Sequence, residues 1–534
     1  MSASGSVVLP TGVPESVAQQ YRDLGLWVGQ THWDFLIEAV QRHGDAPVAR
    51  DSYRNLTYRQ LQESAERLST ELAARGICAA DRVVVQLPNS VVFLEVIFAL
   101  FRLGAVPVFA LPSHGSLEVH HFCRIAEAVA YVGSSRAQGN AKAVVDMLRS
   151  DQPSMIIIDI DTAATNPWKA LPEQELREPA AVSADALAFL QLSGGTTAIP
   201  KLIPRTHDDY LYSVRRSVEL CDLRAGDVMM VVLPCAHNFT MSSPGILGAI
   251  YAGAQIVIAA DPSPTTCLKT LERRRVTQVA LVPPLLLSWL NAPTLPEYNL
   301  SSLRTVWVGG AKLSDTVARR VGPELGCQLQ QVFGMAEGLV NYTRLTDDVN
   351  TVATTQGKPM SEYDEIRVVD HQGNHVPTGQ EGLLYTRGPY TIRQYYKAPE
   401  HNARSFTHDG FYRTGDIVRQ LDTGHVIVVG RDKDQINRGG EKIAPEAVEN
   451  ELLAHDCVHD VSVVGLPDDI LGERICAYVI PRAGCVDRMP SIVEFRNFLR
   501  ERGLASFAMP DVLRIVDRFP HTGVGKVSKK DQRQ

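Results

Sequence analysis

Cysteine is sparse in this chain: nine in 534 residues, scattered from Cys78 to Cys485. No two stand as C-x-x-C, so neither a zinc site nor a redox dithiol is suggested. An odd count at low density is what reduced thiols in a cytosol look like. Basic surplus is also missing. The formal net charge is −7 and the pI about 6.1, which argues against broad binding to nucleic acid or an anionic membrane, since both need a basic face. No uninterrupted apolar run reaches about 18 residues, so no membrane span is expected. No basic segment followed by an apolar run opens the chain, so no signal peptide is visible. A soluble cytoplasmic protein is the expectation. The Walker spacing G-x-x-x-x-G-K-[ST] is absent as well, which excludes a conventional P-loop.

What is present is size and apolar mass. Hydrophobic residues make up 45%, enough for a large core. At roughly 150 residues per unit the length suggests three or four structural units. Over the first 400 residues short β-branched runs alternate with amphipathic helical segments. Val83–Val85 precedes an apolar helix near Val91–Leu103. Runs at 106–111, 155–158, 228–233, 255–258, 278–282 and 305–308 follow. Strands alternating with helices predict parallel sheets covered on both faces, with ligands at the carboxyl ends of the strands. Gly309-Gly310 and His237-Asn238 each follow such a run. After about Gly357 the pattern changes to strands at 365–369, 382–387 and 425–429, separated by Gly, Pro and Asp, which predicts a small antiparallel unit. The charged run Gly430-Arg431-Asp432-Lys433-Asp434 marks a boundary. Beyond it, strands at 461–464 and 477–480 and a helix near 491–500 predict a small α+β unit.

One segment carries the most information: Ser193-Gly194-Gly195-Thr196-Thr197-Ala198-Ile199-Pro200-Lys201. Gly194 and Gly195 let the backbone approach an anion closely, and two hydroxyls and a lysine supply donors and positive charge. That suits a triphosphate; on composition alone the segment is equally an ordinary turn. Five further segments accompany it. Gln331–Glu337 places a carboxylate after an aromatic-glycine turn. Tyr412-Arg413-Thr414-Gly415-Asp416 places another at the end of a tight turn. Gly430–Asp434 follows a strand. Asn437-Arg438-Gly439-Gly440-Glu441-Lys442-Ile443 is a second glycine loop before a helical pattern at 445–453. Thr522-Gly523-Val524-Gly525-Lys526-Val527 stands near the C-terminus. Each is weak alone, and a lone lysine such as Lys526 is usually just solvated.

The order and spacing of all six resemble the adenylate-forming superfamily of acyl-CoA synthetases, luciferases and peptide-synthetase adenylation domains. The resemblance covers nearly the whole chain. Segments 192–205, 237–245 and 328–344 resemble the stand-alone aryl-acid ligases of siderophore biosynthesis, of the 2,3-dihydroxybenzoate–AMP ligase type. The implied fold is α/β: a large N-terminal domain (1–432) of parallel α/β sheets plus a small β subdomain, then a small mobile α+β C-terminal domain (433–534). One departure is Ala198, where the family commonly has glycine; activity is expected to survive because the threonines and Lys201 remain.

The resemblance also implies roles. Ser193, Gly194, Gly195, Thr196, Thr197 and Lys201 would hold the phosphates of ATP, and Glu337 would ligate Mg2+. Gly310, Ala311, Val332, Phe333 and Gly334 would form the adenine slot. Asp416 would accept from both ribose hydroxyls, with Arg431 beside it, and Lys526 would stabilise charge on the transferring phosphate. Gly439, Gly440 and Lys442 would line a pantetheine tunnel. In the family the tunnel loop and the position of Lys526 lie on opposite faces of the C-terminal domain, so the resemblance implies a rotation about Lys433. His237 would gate the acyl pocket or help admit the thiol; a packed histidine is the plain alternative.

Asn238, Phe239, Ser243, Gly309 and Val340 would line the acid. A neutral Asn238 stands where amino-acid-activating relatives have aspartate, so an α-ammonium would be left unpaired. Ser243 and Val340 favour 2,3-dihydroxybenzoate, while Phe239 is less decisive. The implied acceptor is the phosphopantetheine of a separate aryl carrier protein. Salicylate as the acid, coenzyme A as the acceptor, and a catalytically silent nucleotide-binding module are the alternatives.

Overall fold

The computed structural model describes residues 8–136, 141–165, 167–168, 176, 178–193, 200–438, 441–468, 470–502, 504–521 and 526–533, with the Lys442 side chain excepted. Two parallel-rich sheets make up most of the chain. The first runs Ile156–Asp159, Ala130–Gly133, Arg82–Gln86, Val106–Phe109, Leu187–Leu192, Leu202–Thr206. It is parallel until the last two strands, which form an antiparallel hairpin. The second has nine strands. Its parallel centre holds Gln328–Met335, Thr305–Gly309, Gln278–Leu281, Val228–Val231, Gln255–Ile258 and Pro47–Arg50, and antiparallel strands close each edge. The expected α/β class is borne out.

Val83, Val84 and Val85 are buried, as β-branched runs are when helices cover both faces. The helix Val91–Leu103 is apolar and buried nearly all round, the mark of a helix inside the molecule rather than on it. It stops at Gly104, whose φ of 70° supplies the left-handed cap.

A four-stranded antiparallel sheet follows, ordered Glu365–Val369, Glu381–Arg387, Tyr412–Gln420, Val426–Arg431. Here the local expectation needs correction. Tyr412–Asp416 is not a tight turn but part of a nine-residue strand. Gly415, at φ 75°, sits where the pairing with Glu381–Arg387 slips, and the pairing with Val426–Arg431 slips further on, between Ile417 and Val418. A glycine in a strand reads as a turn until its bulge is seen. Phe333-Gly334 likewise lies within a strand; the turn is Ala336-Glu337, one step later. Gly309 ends the strand Thr305–Gly309 rather than following it.

The last sheet orders Glu441–Ile443, Ile436–Arg438, Gly472–Pro481 and Val458–Asp468, with Val512–Ile515 parallel to Gly472–Pro481. It has its own core of Ile436, Val448, Leu452, Val463, Ile475 and Phe495.

Two buried histidines cross-link the N-terminal body. His207 Nδ1 accepts from the His32 backbone N–H at 3.0 Å and lies 2.7 Å from His32 Nδ1. Burial holds His32 well below its ordinary pKa and pushes His207 down to about 4; His114 is held at about 4 the same way. These rings stay neutral when folded but take a proton when unfolded below about pH 6.5. Lowering the pH from there towards 4 therefore removes stability. Thermal midpoints measured across this window should fall, and His207→Asn should flatten the slope.

Candidate active site

The phosphate-loop candidate is the tip of the hairpin between Leu187–Leu192 and Leu202–Thr206. Leu192 pairs with Leu202. Ser193 N–H donates to the Lys201 carbonyl and Lys201 N–H to Ser193 Oγ, both at 2.9 Å. The loop is thus closed one step beyond the ladder. Gly194, Gly195, Thr196, Thr197 and Ala198 lie outside the described residues.

Lys201 Nζ lies 4.7 Å from the centroid of the Tyr395 ring, a cation–π distance. Tyr395 hydroxyl donates to Glu337 Oε1 at 2.9 Å and lies 3.0 Å from the Tyr412 hydroxyl. Burial and the Glu337 charge push the Tyr395 phenol far up, so it remains a donor. Glu337 itself is buried, in the two-residue turn. That turn is held by Arg205, which donates to the Ala336 carbonyl at 3.0 Å, and by Ile392 N–H on the Glu337 carbonyl at 2.8 Å. Arg205 is buried and ion-paired to Asp209 at 3.1 Å.

Asp416 and Arg431 face each other across neighbouring strands, and Arg431 Nε meets Asp416 Oδ1 at 2.9 Å. Arg431 also donates to the Thr414 carbonyl, and Asp416 N–H to Thr414 Oγ1, each at 3.0 Å. Burial raises the Asp416 pKa against the pull of Arg431 and Lys526.

Gly309 and Gly310 leave room where side chains would not fit. A Cβ on Gly309 would stand 2.7 Å from the Val332 carbonyl oxygen and 3.2 Å from the Phe239 ring. Gly310 has φ 87°, and its Cβ would stand 3.2 Å from Lys526 Cε. Ala311 and Gly334 are exposed and Phe333 half-buried, so this face is open.

Lys526 is therefore carried from the C-terminal unit into the N-terminal site. Burial lowers its pKa and Arg431 adds to this, while Asp416 and Glu337 oppose it. His237 senses Lys526 too: burial and that ammonium push the imidazole down to about 3. Its Nδ1 accepts from Phe239 N–H at 3.3 Å, capping the short helix Asn238–Ser242. A neutral ring accepting at Nδ1 carries its proton on Nε2. Hydrogen bonds also join the C-terminal unit to the N-terminal body elsewhere. Asp315 N–H donates to Asn450 Oδ1 at 3.2 Å, and Asn291 Nδ2 lies 3.0 Å from His459 Nδ1.

The acid-pocket candidates gather near this point. Phe239 packs on Gly309, and Val340 lies against Gly334. Ser243 is buried near Tyr342, whose hydroxyl donates to Ser217 Oγ at 3.0 Å. Tyr210 donates to Asn238 Oδ1 at 2.8 Å. Lys433 is exposed in the turn Asp432–Asp434, and partial burial of its ammonium and the nearby Arg431 charge lower its pKa. Gly439, Gly440 and the Lys442 side chain lie outside the described residues. Sequence reasoning missed Tyr395, Arg205 and Tyr210. None sits in a glycine-rich motif, and each acts by touching a motif residue distant in the chain.

Among the described residues no group of three or more His, Cys, Asp or Glu is placed to hold a metal. No helix among them is long and apolar enough to cross a membrane.

A large α/β body whose nucleotide-type site is completed by a lysine from a small second unit is the arrangement of an adenylate-forming enzyme. The chain belongs to the AMP-binding enzyme family: residues 36–396 match that family, and residues 447–526 match the AMP-binding enzyme C-terminal domain. It is 52% identical to the 2,3-dihydroxybenzoate-AMP ligase of Bacillus subtilis (strain 168), over 98% of this chain and 96% of that one. It is 47% identical to pyochelin synthase PchD of Pseudomonas aeruginosa (strain UCBPP-PA14), over 98% and 95%. The apo structure of Mycobacterium smegmatis MbtA superposes with a TM-score of 0.74 at 41% identity, covering 97% of both chains.

Proposed function

We propose that this chain joins 2,3-dihydroxybenzoate to ATP as the aryl adenylate, releasing pyrophosphate, and passes the aryl group to the phosphopantetheine thiol of an aryl carrier protein in catechol siderophore biosynthesis. The convergence of Lys526 on Gly310, His237, Asp416 and Glu337 is the observation that carries this reading. A carboxylate is a poor electrophile, and its attack on the α-phosphorus of ATP converts it to a mixed anhydride. The protein's work is positioning and charge neutralisation. Asp416 takes the ribose hydroxyls, held in place by Arg431. Lys526 meets the charge that grows on the α-phosphate. His237, neutral through the physiological range, cannot neutralise the acid; it bounds the path by which the thiol enters.

Glu337 fits a Mg2+ ligand. One oxygen is engaged by Tyr395, and no described residue donates to the other. A hard cation needs few carboxylates when phosphate oxygens and water complete its shell. When bound, Mg2+ would draw charge from the phosphates.

For the second step, Lys526 must leave and the loop holding Gly439, Gly440 and Lys442 must approach. That exchange would divide the chain at 432/433, with Lys433 as pivot, between the two matched family regions 36–396 and 447–526. The interdomain hydrogen bonds Asp315–Asn450 and Asn291–His459 are of a kind that can break on each cycle.

The acid rests on Asn238, Ser243 and Val340. Pyrophosphate exchange with 2,3-dihydroxybenzoate, salicylate and benzoate tests it: 2,3-dihydroxybenzoate should be fastest, salicylate second and benzoate slowest. Exchange fastest with benzoate would reject the role of Asn238, and exchange with none would leave a silent binding module.

A further inference from the structure

The geometry points to Tyr210 as a positioning residue that decides between a hydroxyl and an amino group on the acid's 2-carbon; this rests on the aryl-acid reading above. Tyr210 is almost wholly buried. Its ring is edge-on to Phe189 at 4.6 Å, and the Arg205 guanidinium lies 5.0 Å from its centroid. Arg205 is itself fixed by Asp209 and by the Ala336 carbonyl. The phenol is therefore held from two sides. Burial raises its pKa, so it is protonated and a donor. Its partner at 2.8 Å is Asn238, and the atom that meets a donor must be Oδ1.

That one bond settles which way the Asn238 amide faces. A primary amide has one acceptor end and one donor end, and turning it by half a revolution exchanges them. With Oδ1 taken, Nδ2 is the end left for the pocket, and no described residue accepts from it. The acid therefore meets N–H groups. A phenol or phenolate oxygen on the 2-carbon offers lone pairs and is accepted. An arylamine presents N–H of its own and a weak, ring-delocalised lone pair, so donor meets donor. Without the Tyr210 hydroxyl the amide can turn and offer Oδ1, which an amino group satisfies. Asn238 alone, read from sequence, could serve either substituent; Tyr210 removes the choice.

The test compares salicylate, anthranilate and benzoate in ATP–pyrophosphate exchange, in the full chain and in Tyr210→Phe. The wild-type protein should prefer salicylate to anthranilate in kcat/KM. In Tyr210→Phe that ratio should shrink by about tenfold or more, the scale of one mismatched buried polar group, with benzoate nearly unchanged. A purely structural role would slow all three acids together and leave the ratio alone, which would overturn the assignment. Asn238→Asp gives a second variant that leaves Tyr210 intact. The phenol then holds one carboxylate oxygen, the pocket meets the other, and preference should turn towards anthranilate; a retained preference for salicylate overturns the assignment too. If the wild-type protein exchanges with no aryl acid, the functional reading itself fails. Exchange with an unmoved ratio sinks only the role of Tyr210.

Discussion

Lys526→Ala should slow aryl-adenylate formation by roughly 10²–10³-fold, on the scale of losing one preorganised donor to transition-state charge. Transfer from preformed adenylate to the carrier thiol should be largely intact. The side chain reaches Gly310 and lies near Asp416, Glu337 and Arg431, yet it comes from the C-terminal unit. On the proposed exchange of faces, only the first half-reaction needs that unit docked as it is here. Gly440→Leu, which would crowd the second glycine loop, should do the reverse. Single-turnover measurements of each step, with purified adenylate for the second, check this. Equal damage to both steps in both variants would contradict the exchange of faces.

Asp416→Asn should raise the KM for ATP by about 10²-fold with a smaller change in kcat. Two losses combine. A carboxylate accepting from two hydroxyls makes charge-assisted bonds, which a neutral amide cannot match. Arg431 would also keep its charge without the partner now at 2.9 Å, and an unpaired, partly buried cation is costly. A cheap control accompanies it. With 2′-deoxy-ATP the wild-type protein should lose about tenfold in kcat/KM, and Asp416→Asn should scarcely distinguish the two nucleotides. A variant still sensitive to the 2′-hydroxyl would place the ribose elsewhere.

The α/β class was legible because a both-faces-buried parallel strand must be an apolar β-branched run, and Val83–Val85 is one. Strand edges were less so. Tyr412–Asp416 looks like a turn because Gly415 is one of its five residues; only the neighbouring strands reveal a bulge instead. In the site, glycine-rich and charged motifs announce themselves by composition. Alone each is weak; their shared order resembles a known family, and that resemblance singled out Lys526, Asp416, Glu337 and Gly310, which the fold brings together. It did not single out Tyr395 and Tyr210. Each stands among polar and charged neighbours, His207-Asp208-Asp209 before Tyr210 and Arg393-Gln394 before Tyr395, with no glycine-rich motif to mark it. Their significance lies in which atom each hydroxyl meets, across 58 residues for Glu337 and 28 for Asn238. Such pairings exist only after folding.

The place of Tyr395 has a further consequence for the resting enzyme. An ammonium and a buried carboxylate left side by side would neutralise each other, and every incoming nucleotide would first have to pry them apart. With the aromatic ring interposed, Lys201 rests on a soft, easily surrendered π-surface while the phenol occupies only one oxygen of Glu337. The Lys201 charge is thus kept off Glu337, in contrast to Arg431, which the same cleft pairs directly with Asp416.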